Sequence, residues 1–268
     1  MCSQCPSLAA KLLGGLLAKL FSRDLGRRFS NWVVTTVGVP EICFQSSIKS
    51  FLHLASIVMA DADLSLAVPA VFFGAVGTAG QRCTSTRRLY LHRKIASEFL
   101  SRLQKLYSTI RVGDPLVETT LLGPLHTPSA IKVYANAIHY LQRTGAEIIS
   151  GGKRYEEAPL HTGNFVQPTI AIPKSMDPTD PIWKTETFAP ILNAAVFEDL
   201  EQAIEWNNSV PQGLSSSLWT RDLRNVGKWI GPAGSDTGIV NVSVDQSGSF
   251  VIVVYHIGHI GQRRYKWC

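Results

Sequence analysis

The sequence predicts an α/β fold with a largely parallel sheet and flanking helices. From about Asp61 onward, segments with apolar residues at helical spacing alternate with short runs rich in β-branched residues, which is the pattern of parallel α/β domains. The chain has 268 residues, of which 45% are hydrophobic and 17% charged, as in folded proteins rather than disordered ones. No apolar run approaches the roughly 18 residues that a membrane span needs, so we expect no membrane association.

The predicted elements follow one another in a regular order. A helix rich in alanine and glycine is predicted over residues 64–80, and a strand over Arg88–His92. The next helix carries apolar residues on one face from Ile95 to Ile110. The remaining predicted elements are a helix over about 129–143, strands over Ala146–Ser150, Phe165–Ile172 and Ile191–Phe197, a helix over Asp199–Asn207, and strands over Leu214–Thr220 and Gly238–Val244.

The two ends of the chain do not continue this alternation. We therefore divide the chain into an atypical segment over residues 1–54, a folded domain over 55–248 and a tail over 249–268, in which Phe250–Tyr255 could form a strand. Residues 31–60 show no assignable element. The first 30 residues carry leucines at helical spacing among lysines and arginines, which fits either an amphipathic helix packed on the protein or a mitochondrial presequence. We favour the former and expect a cytoplasmic location.

Charge and cysteine content exclude several kinds of site. The net charge of +6 arises from basic residues scattered along the chain, so we expect no nucleic-acid binding. Five cysteines are an odd number at irregular spacing, which favours a reducing compartment over a disulfide scaffold. Cys2 and Cys5 form a C-x-x-C pair, but no second pair completes a zinc site, and we predict no metal site.

The stretch FFGAVGTAGQRCTSTRR, residues 72–88, carries the most chemistry. Its glycines at 74, 77 and 80 are spaced G-x-x-G-x-x-G, which differs from the dinucleotide fingerprint G-x-G-x-x-G. Ala79-Gly80 is expected to stop the helix and deliver Cys83 onto a turn. A thiol there, beside Arg82 and exposed backbone N–H groups, is well placed to act as a nucleophile. The alternative is that Cys83 is a small buried apolar residue.

Six collinear segments point to one family. GTAGQRCTSTRRLYLH resembles the active-site cysteine segment of the aldehyde dehydrogenase superfamily. In the family's order there follow LLGPLHT, GNFVQPTI, KTETFAPIL, NNSVPQGLSSSLWTRDL and GSDTGIVNV. The sequences of these segments are most similar to those of the antiquitin subfamily, the α-aminoadipic semialdehyde dehydrogenases of lysine breakdown. The resemblance covers about Ala55 to Gly248.

The resemblance implies roles for four residues. Cys83 would attack an aldehyde to form a thiohemiacetal, which would pass a hydride to NAD and become a thioester, with the N–H of Cys83 in the oxyanion hole. Glu186 would hold the ribose hydroxyls of the cofactor, and Phe188 would pack beside the nicotinamide. Arg82 would pair with a carboxylate on the substrate. The alternatives are an exposed acid at a strand end for Glu186 and a structural ion pair for Arg82.

Three departures from the family pattern accompany these matches. Lys49–His53 stand where the family carries E-L-G-G-N, whose Glu is the base and whose Asn completes the oxyanion hole. Only about 60 residues precede the match, so most of the NAD-binding domain is expected to be missing. The glycine-rich segment and the strand for subunit pairing, expected after Gly248, are also absent, which argues against the homo-oligomer that the resemblance implies. We therefore expect impaired activity.

Two alternative functions remain open at this point. The chain could be inactive and act, if at all, as an interaction partner of full-length subunits. It could also be a Cys-His hydrolase that pairs Cys83 with His126, His139 or His161. The sequence gives no reason for any of these histidines to reach Cys83, so we rank the hydrolase lowest.

Overall fold

A computed structural model describes residues 54–243, apart from 157–159, 162, 178 and 211–212, together with the backbone of Val254–Tyr255. The predicted amphipathic or targeting segment, the Cys2–Cys5 pair and the departure at Lys49–His53 lie outside the described residues, as does most of the predicted tail. None of the helices in the described part combines the length and the hydropathy that crossing a bilayer requires.

The described strands form one mixed sheet. Their bounds are Leu54–Val58 (β1), Thr86–His92 (β2), Glu147–Ser150 (β3), Thr169–Ile172 (β4), Ile191–Phe197 (β5), Ser215–Trp219 (β6), Ile239–Val242 (β7) and Val254–Tyr255 (β8). The spatial order is β3-β4-β5-β2-β1-β6-β7-β8. The six inner strands run parallel; in spatial order they are β4, β5, β2, β1, β6 and β7. Among the described strands, only β3 and β8 at the edges are antiparallel to their neighbours. This architecture confirms the predicted α/β fold.

Helices connect the parallel strands. Their bounds are Leu64–Val76 (α1), Arg93–Tyr107 (α2), Pro128–Arg143 (α3), Pro181–Lys184 (α4), Leu200–Asn208 (α5) and Leu223–Ile230 (α6), with a 3₁₀ segment at Gly77–Gly80. Side chains of Asp63, Thr127 and Asp199 accept hydrogen bonds from the first turns of α1, α3 and α5, which satisfies N–H groups that lack partners inside the helix. In α2, Ile95, Phe99 and Leu103 are buried, as their spacing predicts.

Most predicted elements are found near their predicted bounds. The strand Ile191–Phe197 is found with the same bounds. The predicted helix over residues 64–80 ends as an α-helix at Val76 and continues as the 3₁₀ segment. The predicted strand Phe165–Ile172 is shorter than expected, because its ladder begins at Thr169, directly after Pro168. Proline has no N–H to donate to a ladder.

The expectation that residues 31–60 hold no element is wrong for Leu54–Val58. This segment forms β1 in the middle of the sheet, and all five of its residues are buried. A central parallel strand is covered on both faces and therefore lacks the apolar–polar alternation that marks a half-exposed strand. Helix α6, LRNVGKWI, was also missed, because its eight residues are fewer than the roughly 11 over which helical periodicity is recognised. Its one fully buried side chain is that of Trp229.

Candidate active site

Two loops that are far apart in sequence meet at the amino-terminal edge of the sheet. Strands β2 and β5 are parallel neighbours, with Arg88 paired to Asn193, so the loops that enter them lie side by side. We call residues 80–85 the nucleophile loop and residues 185–190 the TETFAP loop. Gly80 contacts the TETFAP loop directly, since a Cβ on Gly80 would lie 2.5 Å from the carbonyl carbon of Ala189 and 2.8 Å from the nitrogen of Pro190.

Cys83 lies at the tip of a tight turn. The Ser85 N–H donates to the carbonyl oxygen of Arg82 at 3.2 Å, and the Arg82 N–H donates to Ser85 Oγ at 3.1 Å. These two bonds close the turn around Cys83 and Thr84. Cys83 is a free, exposed thiol, so the interpretation of Cys83 as a buried core residue is wrong. Among the described residues, none forms a hydrogen bond with its sulfur.

The approach to the turn depends on close packing at glycines. A Cβ on Gly74 would lie 2.5 Å from Thr86 Oγ1, so α1 packs tightly against the start of β2. After α1, Thr78 and Ala79 both take φ values of 55°, which fall in the left-handed region that non-glycine residues rarely adopt. This change of direction turns the chain toward Cys83, although the α-helix itself ends at Val76, before the stop predicted at Ala79-Gly80.

Arg87 holds the nucleophile loop from inside. Its side chain is 4% exposed. Nη1 donates to the carbonyl oxygen of Ser85 at 3.2 Å, and Nη2 donates to those of Gly80 at 3.3 Å and Arg82 at 3.5 Å. The guanidinium therefore binds carbonyl groups on both sides of Cys83.

The same guanidinium faces the TETFAP loop. Its Nη1 lies 3.9 Å from Glu186 Oε1, and its central carbon lies 4.8 Å from the centroid of the Phe188 ring, within the range of a cation–π contact. Phe188 has a φ of 44°, a conformation that costs on the order of 1–3 kcal/mol and persists only where the surroundings enforce it.

Glu186 is the most perturbed carboxyl group of the site. Burial raises its pKa to about 7, and the opposing attraction of Arg87 does not cancel that effect. Its Oε1 atom is buried without a hydrogen-bond partner. A buried acceptor in this state is suited to a donor that arrives with a ligand. Burial lowers the pKa of Arg87, whereas the charges of Glu186 and Cys83 raise it.

Arg82 points away from the TETFAP loop. Its Nη2 donates to the carbonyl oxygen of Phe73 at 3.2 Å, and its guanidinium lies over the Phe73 ring at 4.7 Å. A Cβ on Gly77 would lie 2.6 Å from Arg82 Nη2, so the glycine makes room for this arrangement. No carboxylate of the described residues lies within ion-pair distance of Arg82, which leaves its charge available.

A cleft of about 560 Å³ adjoins the nucleophile loop and is lined by Thr78, Gln81, His126 and Phe188. Gln81 Oε1 accepts from the backbone N–H of His126 at 2.9 Å and lies 2.7 Å from His126 Nδ1. Gln81 Nε2 donates to the carbonyl oxygens of Thr78 and Pro124. This amide orientation makes Nδ1 the protonated nitrogen of His126.

The structure thus brings together Cys83, Glu186 and Phe188, and it places Arg82 beside Cys83 but facing α1. None of the three histidines considered for a hydrolase forms a hydrogen bond with Cys83: His126 lies in the cleft against Gln81, and His139 and His161 are exposed. The described residues also contain no group of acidic, histidine or cysteine side chains suited to a metal.

Sequence reasoning missed Arg87 and Gln81. Arg87 stands next to Arg88, and alternation along β2 sends the two side chains in different directions. Arg88 instead donates to the carbonyl oxygens of Trp206 and Asn207 at the end of α5. One feature of the sequence could have pointed to Arg87: two adjacent arginines in a central strand both need buried partners.

Comparison with known proteins is consistent with this geometry. The model of the aldehyde dehydrogenase family matches residues 53–258. The chain is 49% identical over 205 residues to alpha-aminoadipic semialdehyde dehydrogenase of Mus musculus, an alignment that covers 75% of this chain and 37% of the mouse protein. It is 51% identical over 205 residues to aldehyde dehydrogenase family 7 member A1 of Pisum sativum, covering 75% and 39%.

Solved structures show the same fold. PnpE in complex with nicotinamide adenine dinucleotide superposes with a TM-score of 0.70 at 30% identity, over 74% of this chain and 40% of that one. Betaine aldehyde dehydrogenase of Staphylococcus aureus in complex with NAD⁺ gives a TM-score of 0.67 at 25% identity, over 73% and 38%. The chain therefore spans about two fifths of the length of these relatives. Because the family model covers most of its sequence, the chain belongs to the aldehyde dehydrogenase family.

Proposed function

We propose that Cys83 is the nucleophile of an NAD-dependent aldehyde oxidation. The observation that carries this proposal is the contact between the nucleophile loop, which holds an exposed thiol, and the TETFAP loop, which holds a partly buried carboxyl group and an aromatic ring. These are the residue types that such a reaction needs: a thiol to attack the carbonyl carbon, an acceptor for sugar hydroxyls and a flat apolar surface.

The chemistry of Cys83 follows from its position. The sulfur forms a bond to the aldehyde carbon, and the carbonyl oxygen becomes an anion that the Cys83 backbone N–H can stabilise. Loss of a hydride from that carbon, with its electron pair, gives a thioester. Attack of water on the thioester then releases the carboxylic acid and restores the thiol, so one aldehyde and one water give one carboxylic acid, one hydride and one proton.

The residues present fit NAD at the end that reacts. Glu186 Oε1 is a buried acceptor without a partner, and two ribose hydroxyls would supply the missing donors. Phe188 lines the cleft beside Glu186 and would contact the nicotinamide. When bound, NAD supplies the acceptor for the hydride that leaves the substrate carbon.

For the substrate we propose α-aminoadipic semialdehyde, the substrate class in the names of the mammalian relatives. Its amino-acid head carries a carboxylate at neutral pH. Arg82 precedes the nucleophile and has no carboxylate partner among the described residues, so it is suited to bind that group.

We further propose that this chain turns over slowly. Lys49–His53 stand where the family carries its water-activating Glu and the Asn of the oxyanion hole. Loss of one oxyanion donor typically costs a hundredfold or more in kcat, and loss of the base retards hydrolysis of the thioester. We expect the chain to act in the cytoplasm, without a membrane or nucleic-acid partner.

A single-turnover experiment tests these proposals together. The purified chain is mixed with NAD and the semialdehyde, NADH is followed, and the Cys83 peptide is analysed by mass spectrometry. We expect a burst of at most one NADH per chain and an acyl adduct on Cys83, and neither in Cys83→Ser. Sustained rapid turnover would disprove the impairment, and NADH formation by Cys83→Ser would disprove the role of the nucleophile.

A second candidate function is association with full-length subunits of the same family. One loop exposes Leu116, Val117 and Leu121, whose exposed fractions are 92%, 52% and 62%. Apolar side chains gathered in this way are typical of surfaces that meet another chain. Co-purification of the tagged chain with the intact enzyme, and its loss in a Leu116→Lys, Leu121→Lys variant, would support this function.

A further inference from the structure

Arg87 is the residue that joins the two halves of the site. Its guanidinium donates to carbonyl oxygens on both sides of Cys83, those of Gly80, Arg82 and Ser85. The side chain of Arg87 therefore fixes the backbone of the turn on both sides of Cys83.

The guanidinium of Arg87 also contacts the TETFAP loop. Its Nη1 lies 3.9 Å from Glu186 Oε1, and its central carbon lies over the Phe188 ring at 4.8 Å from the centroid. Phe188 has a left-handed backbone conformation, which needs support from its neighbours. Arg87 supplies that support by its contact with the ring, so one guanidinium group holds both loops in place.

The charge of Arg87 acts on the nucleophile as well. Arg87 is 3% exposed, and the charges of Glu186 and Cys83 are the two influences that favour its cationic form against burial. Because the guanidinium binds the carbonyl groups on both sides of Cys83, it would attract negative charge that forms on the sulfur during a reaction. The guanidinium is buried and the thiol is exposed, so water screens this attraction only in part.

We infer that Arg87 is a positioning residue for Cys83: its guanidinium fixes the carbonyl groups that flank the nucleophile, docks them on the TETFAP loop and keeps a positive charge within electrostatic range of the sulfur. The inference rests on the proposed role of Cys83 as the nucleophile. Arg87 would act through Cys83, Glu186 and Phe188, and not on the aldehyde itself.

Alkylation of Cys83 in the full chain, without aldehyde or NAD, tests the inference. Rates with neutral iodoacetamide and anionic iodoacetate are measured at pH 7 from the Cys83 peptide by mass spectrometry, because the chain has five cysteines. In Arg87→Met the rate with iodoacetate should fall about threefold or more relative to the rate with iodoacetamide, since a positive charge near the sulfur is lost. A general loosening of the loop would change both rates in the same proportion.

Two further variants complete the experiment. Arg87→Lys keeps the charge but cannot bind several carbonyl groups through a planar fork, so we expect the wild-type ratio of rates with both rates severalfold lower. Arg88→Met removes the neighbouring arginine, which is 1% exposed and binds the end of α5, and it should lower the melting temperature while leaving the ratio unchanged.

The outcomes separate clearly. An unchanged ratio in folded Arg87→Met, or the same change in Arg88→Met, would overturn the inference. If Arg87→Met does not fold, Arg87→Lys decides, because wild-type values of both rates would then exclude a positioning role. A chain that alkylates as expected but forms no NADH would refute the proposed oxidation and leave the role of Arg87 intact.

Discussion

Gly80 and Ala189, which are 109 positions apart in sequence, touch through their backbones at the candidate active site. Gly80 has a φ of +68°, and a Cβ on it would overlap the carbonyl group of Ala189 and the nitrogen of Pro190. The nucleophile loop can therefore lie against the TETFAP loop only because residue 80 has no side chain. Because of this contact, we expect a single added methyl group at residue 80 to destabilise the fold.

We predict that Gly80→Ala lowers the free energy of unfolding by about 2 kcal/mol or more, since a left-handed alanine alone costs roughly 1–2 kcal/mol and the overlap adds to that. Urea denaturation measures the loss. The matched control is Gly227→Ala in α6, where a Cβ would meet nothing within 4 Å. We expect the control to gain up to about 1 kcal/mol because alanine favours helix. Equal effects at both positions would contradict the close contact.

The carboxyl group of Glu186 should make stability depend on pH. Its pKa is raised from 4.5 to about 7 in the folded chain, so the folded state holds the proton more tightly than the unfolded state does. This contribution to stability is complete below about pH 4.5 and is lost as the pH rises to about 7. The Glu186→Gln variant should therefore gain stability relative to the wild type between pH 4.5 and 7, as measured by urea denaturation. A difference that does not vary with pH would refute the shift.

The same carboxyl group should govern cofactor affinity if NAD binds as we propose. Ribose hydroxyls donate hydrogen bonds, so they favour the ionised carboxylate. Because the pKa of Glu186 is about 7, the affinity for NAD should fall as the pH is lowered from 8 to 6. Isothermal titration calorimetry measures this dependence, and in Glu186→Gln it should be weaker. A dependence that persists unchanged in the variant would assign it to another group.

Arg82 should affect only substrates that carry a carboxylate. In Arg82→Met the KM for α-aminoadipic semialdehyde should rise roughly tenfold, with little change in the rate of the first turnover, because a charge-assisted hydrogen bond made equally in ground and transition states is lost. Propanal, which has no carboxylate, serves as the control substrate. An equal rise of KM for both aldehydes would indicate that Arg82 acts on the nucleophile loop instead.

Asn241 should stabilise the sheet through its side-chain hydrogen bonds to strand β6. Its Nδ2 donates to Ser215 Oγ at 3.0 Å and to the carbonyl oxygen of Ser216 at 3.1 Å, and the residue is fully buried. We predict that Asn241→Ala lowers the free energy of unfolding by about 2–3 kcal/mol, because buried polar partners lose their bonds. Asn225→Ala, at a partly exposed position with one bond of 3.3 Å, should change it by less than about 0.5 kcal/mol.

Local sequence information was sufficient where short-range chemistry decides the structure. The order of most helices and strands after Asp61, though not helix α6, and the bounds of Ile191–Phe197 follow from periodicity. Strand β1 escaped prediction because a strand that is buried on both faces carries no alternating pattern. Whether neighbouring strands cover a short apolar run is not encoded within the run itself.

The sequence by itself determined that a cysteine would follow a glycine-rich helix in a segment that resembles the aldehyde dehydrogenases, and that an acid and an aromatic residue would come about a hundred residues later. Only the structure decided that the cysteine is exposed. Only the tertiary structure decided how these residues act on one another. Alternation along β2 sends Arg87 and Arg88 in different directions, but the packing of β5 and α5 decides which of them meets Glu186. The raised pKa of Glu186 likewise comes from burial, because desolvation is a property of the assembled loops and not of any residue alone.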